Sequence, residues 1–102
     1  MPTYVPVLST GELAPGAATE RIVDGKPLAI FNVSGRFYAL SNFCLHRGGP
    51  LGQGQLEGSV IMCPWHAWTF DVTTGENTVN PELKMGCFPT RVEDGQVLVE
   101  ID

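Results

Sequence analysis

Apolar and polar residues alternate in short runs along most of this chain, and two-residue turn signals separate the runs. "ERIVDGKPLAIF", "AIFNVSGRFYAL" and "TRVEDGQVLVEID" carry β-forming residues on both sides of Asp24-Gly25, Ser34-Gly35 and Asp94-Gly95. Such dipeptides between strand-like segments mark hairpins with tight turns. The pattern predicts strands near residues 3–8, 19–23, 27–33, 36–41, 59–62, 68–72, 87–93 and 96–101. The helical signal is thin: "STGELAPG" has room for one turn, capped by Ser9 or Thr10 and ended by Pro15. Eight prolines and twelve glycines spread along the chain leave no window for a long helix. There is no internal repeat, linker or low-complexity segment. The expectation is an all-β fold of antiparallel strands, sandwich-like, in a single domain spanning residues 1–102.

The stretch 42–66 interrupts this rhythm. It holds five glycines, Gly48, Gly49, Gly52, Gly54 and Gly58, and four of the chain's five cysteine and histidine residues. These four fall as two mixed pairs, Cys44-Leu45-His46 and Cys63-Pro64-Trp65-His66, separated by residues 47–62. The second pair follows the apolar run "SVIM", so each pair is expected on a loop leaving a strand edge, where a rigid scaffold holds shaped loops. A cysteine by itself is commonly a small buried apolar residue, and a histidine a hydrogen-bonded polar one. Two pairs that together use both histidines of the protein argue instead for a shared metal centre.

A structural zinc site is the first competitor. Its usual spacing sets two cysteines two to four residues apart and two histidines three to five apart. Here each loop supplies one thiolate and one imidazole, and Cys44 and His46 flank a single residue. A centre of two irons, with thiolates at one end and imidazoles at the other, accommodates the mixture better. Colour separates the two, because zinc is colourless.

Composition narrows the partners. The chain carries eleven acidic and six basic side chains, a formal charge of −5, which disfavours nucleic acid and an anionic membrane face. A macromolecular partner is expected to present a basic patch. Three cysteines are an odd count and too few for a disulfide framework. "MPTYVPVLST" lacks the basic and apolar regions of a signal peptide, and no apolar run is long enough to span a bilayer. A cytoplasmic location fits these features. "GQGQLEG" lacks the spacing of a phosphate-binding loop. Outside the two pairs there is no nucleophile–base pair, paired carboxylate or open metal constellation, so the chain is not expected to be an enzyme by itself.

The arrangement Cys-x-His, sixteen residues, Cys-x-x-His closely resembles the signature of Rieske iron–sulfur proteins. "CPWHAWTFDVTTGE" is similar to the second cluster loop and following strand of soluble Rieske ferredoxins and of Rieske oxygenases. The similarity runs over nearly the whole chain. It takes in the N-terminal hairpins and the closing "FPTRVEDGQVLVEI", as in the ferredoxin components of ring-hydroxylating dioxygenases.

The resemblance implies three stacked antiparallel sheets, with a cluster-binding subdomain of two loops, about 42–50 and 63–68, at one tip. It implies one 2Fe–2S cluster, with Cys44 and Cys63 on the buried iron and His46 and His66 on the outer one. The imidazoles ligate through Nδ1 and leave Nε2 near the surface as the electron exit. It implies an electron carrier that moves single electrons from a flavoprotein reductase to a Rieske non-haem iron oxygenase. High-potential members of the family join the two loops by a disulfide, at positions that are Gly49 and Trp65 here. Those members also place a serine and a tyrosine at the positions of Trp68 and Phe70, so a low potential is expected. "NPELKMGCFP" lies where the family has a third, proline-bearing loop, and Cys87 within it reads as a free buried thiol. Two other family roles compete: the Rieske small subunit of an assimilatory nitrite reductase, and the Rieske part of an oxygenase subunit, which "CLHRG" and "HAW" also resemble. The span from Met1 to Asp102 is expected to leave no room for the mononuclear iron domain of the latter.

Overall fold

β3 (Lys26–Val33) is the strand on which the layers are hung. Its segment Leu28-Ala29-Ile30-Phe31 is buried without a break, the signature of a strand covered on both faces. Leu28 and Ile30 point into one apolar cluster, with Leu8, Leu13, Phe37, Val97 and Val99. Ala29 and Phe31 point into a second, with Leu51, Ile61, Cys63, Phe70, Val72 and Met85. The period of two along a strand makes this division.

The computed structural model describes residues 3–42, 49–65 and 67–101. The other strands are β1 (Tyr4–Ser9), β2 (Ala18–Val23), β4 (Arg36–Ser41), β5 (Gln55–Glu57), β6 (Val60–Met62), β7 (Thr69–Asp71), β8 (Cys87–Phe88), β9 (Thr90–Glu93) and β10 (Gln96–Glu100). They form three antiparallel sheets in the orders β1-β10-β9, β2-β3-β4-β8 and β5-β6-β7. The four-stranded sheet feeds both apolar clusters and therefore lies between the other two. The all-β expectation and the stacking of three sheets are both met.

The three predicted turn dipeptides all form. Asp24, Ser34 and Asp94 adopt positive φ, as do the glycines after them, the backbone that tight two-residue hairpins require. Thr10–Glu12 makes the single 3₁₀ turn foreseen in "STGELAPG"; the Glu12 carboxylate accepts from the Ser9 N–H at 2.6 Å. Pro6 is tolerated because β1 is an edge strand, with a register shift between Pro6 and Leu8.

Three expectations need correction. The predicted strand 87–93 is two strands, because Pro89 has no N–H to continue a ladder. β8 pairs with β4 in the middle sheet, whereas β9 pairs with β10 in the terminal one. Gln55–Glu57 is an unforeseen strand, paired with β6; one apolar residue between two glycines is too short a run to show alternation. Cys87 is exposed on the edge strand β8 rather than buried. Its Sγ packs over Gly75, and partial desolvation pushes the thiol pKa up.

Phe31 is fully buried at the centre of β3. Replacing it with alanine should cost about 3–5 kcal/mol, measured by denaturant titration against wild type.

Candidate functional site

The four ligand candidates are divided by the described boundaries. Cys63 lies among the described residues; Cys44, His46 and His66 lie outside them. The scaffold on either side of those three is in view.

Both ligand loops are closed at their bases by hydrogen bonds. Asn42, next after β4, donates its backbone N–H to Pro27 at 3.0 Å, and its carbonyl accepts from Leu51 N at 2.7 Å. Its side-chain Oδ1 accepts from Gly52 N at 2.8 Å. These bonds fix the start and finish of the first loop. At the second loop Cys63 N donates to the Trp68 carbonyl at 2.7 Å, so residues 63 and 68 are tied to each other.

Cys63 follows β6 and its side chain is buried at 1% exposure in the cluster with Leu51, Ile61, Phe70 and Met85. The first loop comes directly against it. A Cβ placed on Gly49 would lie 2.9 Å from Cys63 Sγ and 2.9 Å from Trp65 Cγ, closer than carbon can approach either atom. Gly49 thus serves as the surface on which the two loops meet. Gly49 is a position of close approach between the loops. It also brings together Gly49 and Trp65, the pair of positions at which a disulfide was excluded.

The remaining predicted positions are also in place. Trp68 is half-buried against the core with its ring centroid 6.4 Å from that of Phe70. Phe70 is fully buried. Trp65 is 48% exposed and stands at the outer rim of the second loop. Ala67 adopts φ +58°, a left-handed backbone that costs a residue with a Cβ about 1–2 kcal/mol. Strain of this kind beside a predicted ligand is held by the closed loop base.

The third loop lies against the second. Asn77 Oδ1 accepts from Val79 N and Asn80 N, both at 2.9 Å, and shapes its tip. Asn77 N donates to Leu83 O at 2.8 Å, and Thr78 N donates to Thr69 O at 3.1 Å. The Thr69 and Thr78 hydroxyls are also hydrogen-bonded. Between the two loops is a cavity of about 350 Å³ lined by Ala67, Trp68, Thr69, Asn77, Val79, Asn80 and Leu83. Val79 is 88% exposed at its edge.

Among the described residues, no set of three or more His, Cys, Asp or Glu side chains is grouped for a metal ion. The cluster implied by the resemblance is tested by the sulfur that is in view. The buried Cys63 faces the backbone of Gly49 on the opposite loop. The donor set of two thiols and two imidazoles has the chemistry of a centre with two different irons. The residues fit. Asn42 was not singled out for the site in the sequence. Asn42 stands two residues before Cys44, but nothing local announces what its side chain bonds.

Comparison with known proteins gives the same reading. The model of the Rieske [2Fe-2S] domain matches residues 3–92. The ferredoxin component of the naphthalene 1,2-dioxygenase system of Pseudomonas putida is 30% identical over 99 residues, covering 96% of this chain and 95% of that protein. The ferredoxin of carbazole 1,9a-dioxygenase from Nocardioides aromaticivorans IC177 superposes with a TM-score of 0.91 at 32% identity, covering 98% of this chain and 99% of that one. A chain from the complex of reduced oxygenase and oxidized ferredoxin in carbazole 1,9a-dioxygenase superposes with a TM-score of 0.86 at 32% identity, covering 95% and 92%.

Gly49→Ala should force the two loops apart and cost about 1–3 kcal/mol by overpacking. Thermal unfolding of the variant, with the yield of coloured protein, checks this.

Proposed function

Because this chain belongs to the Rieske [2Fe-2S] family, we propose that residues 1–102 form one domain in which Cys44, His46, Cys63 and His66 hold a Rieske-type 2Fe–2S cluster. Cys44 and Cys63 take the buried iron, and His46 and His66 the outer one. The observation that carries this reading is the contact of Gly49 with Cys63 Sγ, which sets the two ligand loops face to face. When bound, the group supplies a one-electron couple. Four protein ligands saturate both irons and leave no coordination position for a substrate, so the chain is a carrier rather than a catalyst.

Its role is to take single electrons from a flavoprotein reductase and deliver them to a Rieske non-haem iron oxygenase. Relatives named as ferredoxin components of dioxygenase systems support this role, as does the ferredoxin–oxygenase complex of the carbazole system. The rim of the second loop suits brief contacts. Trp65, Val79 and Leu83 expose apolar surface, and the net charge of −5 favours partners with basic faces. Small contacts let a shuttle release each partner in turn. No described helix is long and apolar enough to cross a membrane, and the reducing cytoplasm keeps the three cysteines as thiols or ligands.

The potential follows from what surrounds the sulfurs. Hydroxyls that donate to sulfur stabilise the reduced centre and raise its potential. Position 70 carries a fully buried phenyl ring and position 68 a packed indole, so neither offers a hydroxyl. The midpoint should lie near the low end of the Rieske range, around −150 mV, in a redox titration followed by circular dichroism. A midpoint well above zero would overturn the low-potential reading.

Replacing His66 with alanine should abolish the characteristic visible and EPR spectra of the reduced protein. A variant with an unchanged spectrum would refute the ligand assignment.

A further inference from the structure

The first ligand loop is tied to a strand far from it in sequence. Glu20 on β2 points its carboxylate at the loop base, where Oε2 accepts from Asn42 Nδ2 at 2.5 Å and Oε1 accepts from Gln53 Nε2 at 2.8 Å. Asn42 is buried, and its amide is used at both ends, since Oδ1 accepts from Gly52 N. Gly52 is pressed against β2 itself. A Cβ there would lie 2.6 Å from both the Thr19 carbonyl oxygen and Glu20 Cγ. Residues 42 and 53, on either side of the first loop, therefore bond one carboxylate, and residue 52 packs against the same side chain.

We infer that Glu20, acting through Asn42, is a positioning residue for the first cluster loop. The inference rests on the assignment of Cys44 and His46 as ligands. The ends of a loop determine where its middle can go. Backbone bonds from Asn42 to Pro27 and Leu51 set the spacing of those ends. The side-chain network adds direction: it fixes the Asn42 amide plane two residues before Cys44 and holds the loop exit down on β2. The hydrogen bonds from Gln53 and then Asn42 hold the Glu20 carboxyl below its usual pKa range, so the acceptor stays anionic and its bonds are of the stronger, charge-assisted kind. Outer residues that orient metal ligands in this way control how firmly the metal is kept.

The network has a donor–acceptor polarity that can be reversed. In Asn42→Asp, a second carboxylate faces Glu20 and the bond between them is lost. In the double variant Glu20→Gln with Asn42→Asp, the glutamine amide donates to the new aspartate. That aspartate still accepts from Gly52 N, and Gln53 still has an oxygen to donate to. All three bonds return with the same total charge.

The test is iron release from the holoprotein to an excess of chelator, followed in the visible spectrum well below the unfolding midpoint. Asn42→Asp should release iron about tenfold or more faster than wild type, with altered EPR g values. The double variant should recover most of the wild-type rate. Should Asn42→Asp alone fail to fold, the double variant and Gln53→Ala still decide, with slow release expected from the first and intermediate release from the second. Release at the wild-type rate from Asn42→Asp, or acceleration that the double variant does not reverse, would overturn the proposal. So would rates that merely track each variant's thermal midpoint. If wild type itself takes up no iron and sulfide, the ligand assignment fails instead.

Discussion

The closure of two loops, one at Asn42 and one at Cys63, is the constraint from which the rest of this architecture follows. A pair of loops that offers sulfur and nitrogen to a shared centre must hold its geometry before the centre is present, or ligand freedom is lost at the moment of binding. Each base here is a hydrogen bond between backbone groups at the two ends of its loop, and both are anchored to the scaffold of sheets. Gly49 completes the arrangement by letting one loop touch the sulfur of the other.

The scaffold explains why those bases are firm. The middle sheet is covered on both faces, so β3 and β4 are held by two apolar clusters rather than one. Asn42 follows directly from β4, and Cys63 from β6, whose neighbour Ile61 is fully buried. Cys63 is itself a member of the apolar cluster. Cys63 therefore belongs to the core, whereas Trp65, two residues on, belongs to the surface. Over that short distance the chain passes from a dry interior to a face that a partner can reach. An electron carrier requires that gradient: low dielectric around the sulfurs, and an exit close to the rim.

The charge of the chain fits the same role. Excess acidic side chains raise encounter rates with basic surfaces and keep copies of the carrier apart. Apolar groups at the second and third loops contribute short-range contact without a large interface. Long-range attraction with small contact area suits a short-lived encounter.

The strands and the three hairpin turns were legible in the chain because each is a local signal, and the four proposed ligand positions rest on a signal of the same kind. Alternation, Asp-Gly and Ser-Gly dipeptides and Cys-x-His spacing are all set within a few residues. Tertiary structure decided what no local window contains. Pro89 divides one β-forming run between two sheets, and the choice depends on whether β4 or β10 lies alongside. Cys87 is exposed because β8 falls at a sheet edge, although its neighbours in sequence read as a buried strand. Glu20 meets Asn42 and Gln53 across twenty-two and thirty-three residues. A side chain's own composition states what it can bond; only the packing of sheets determines which groups come within 3 Å of it.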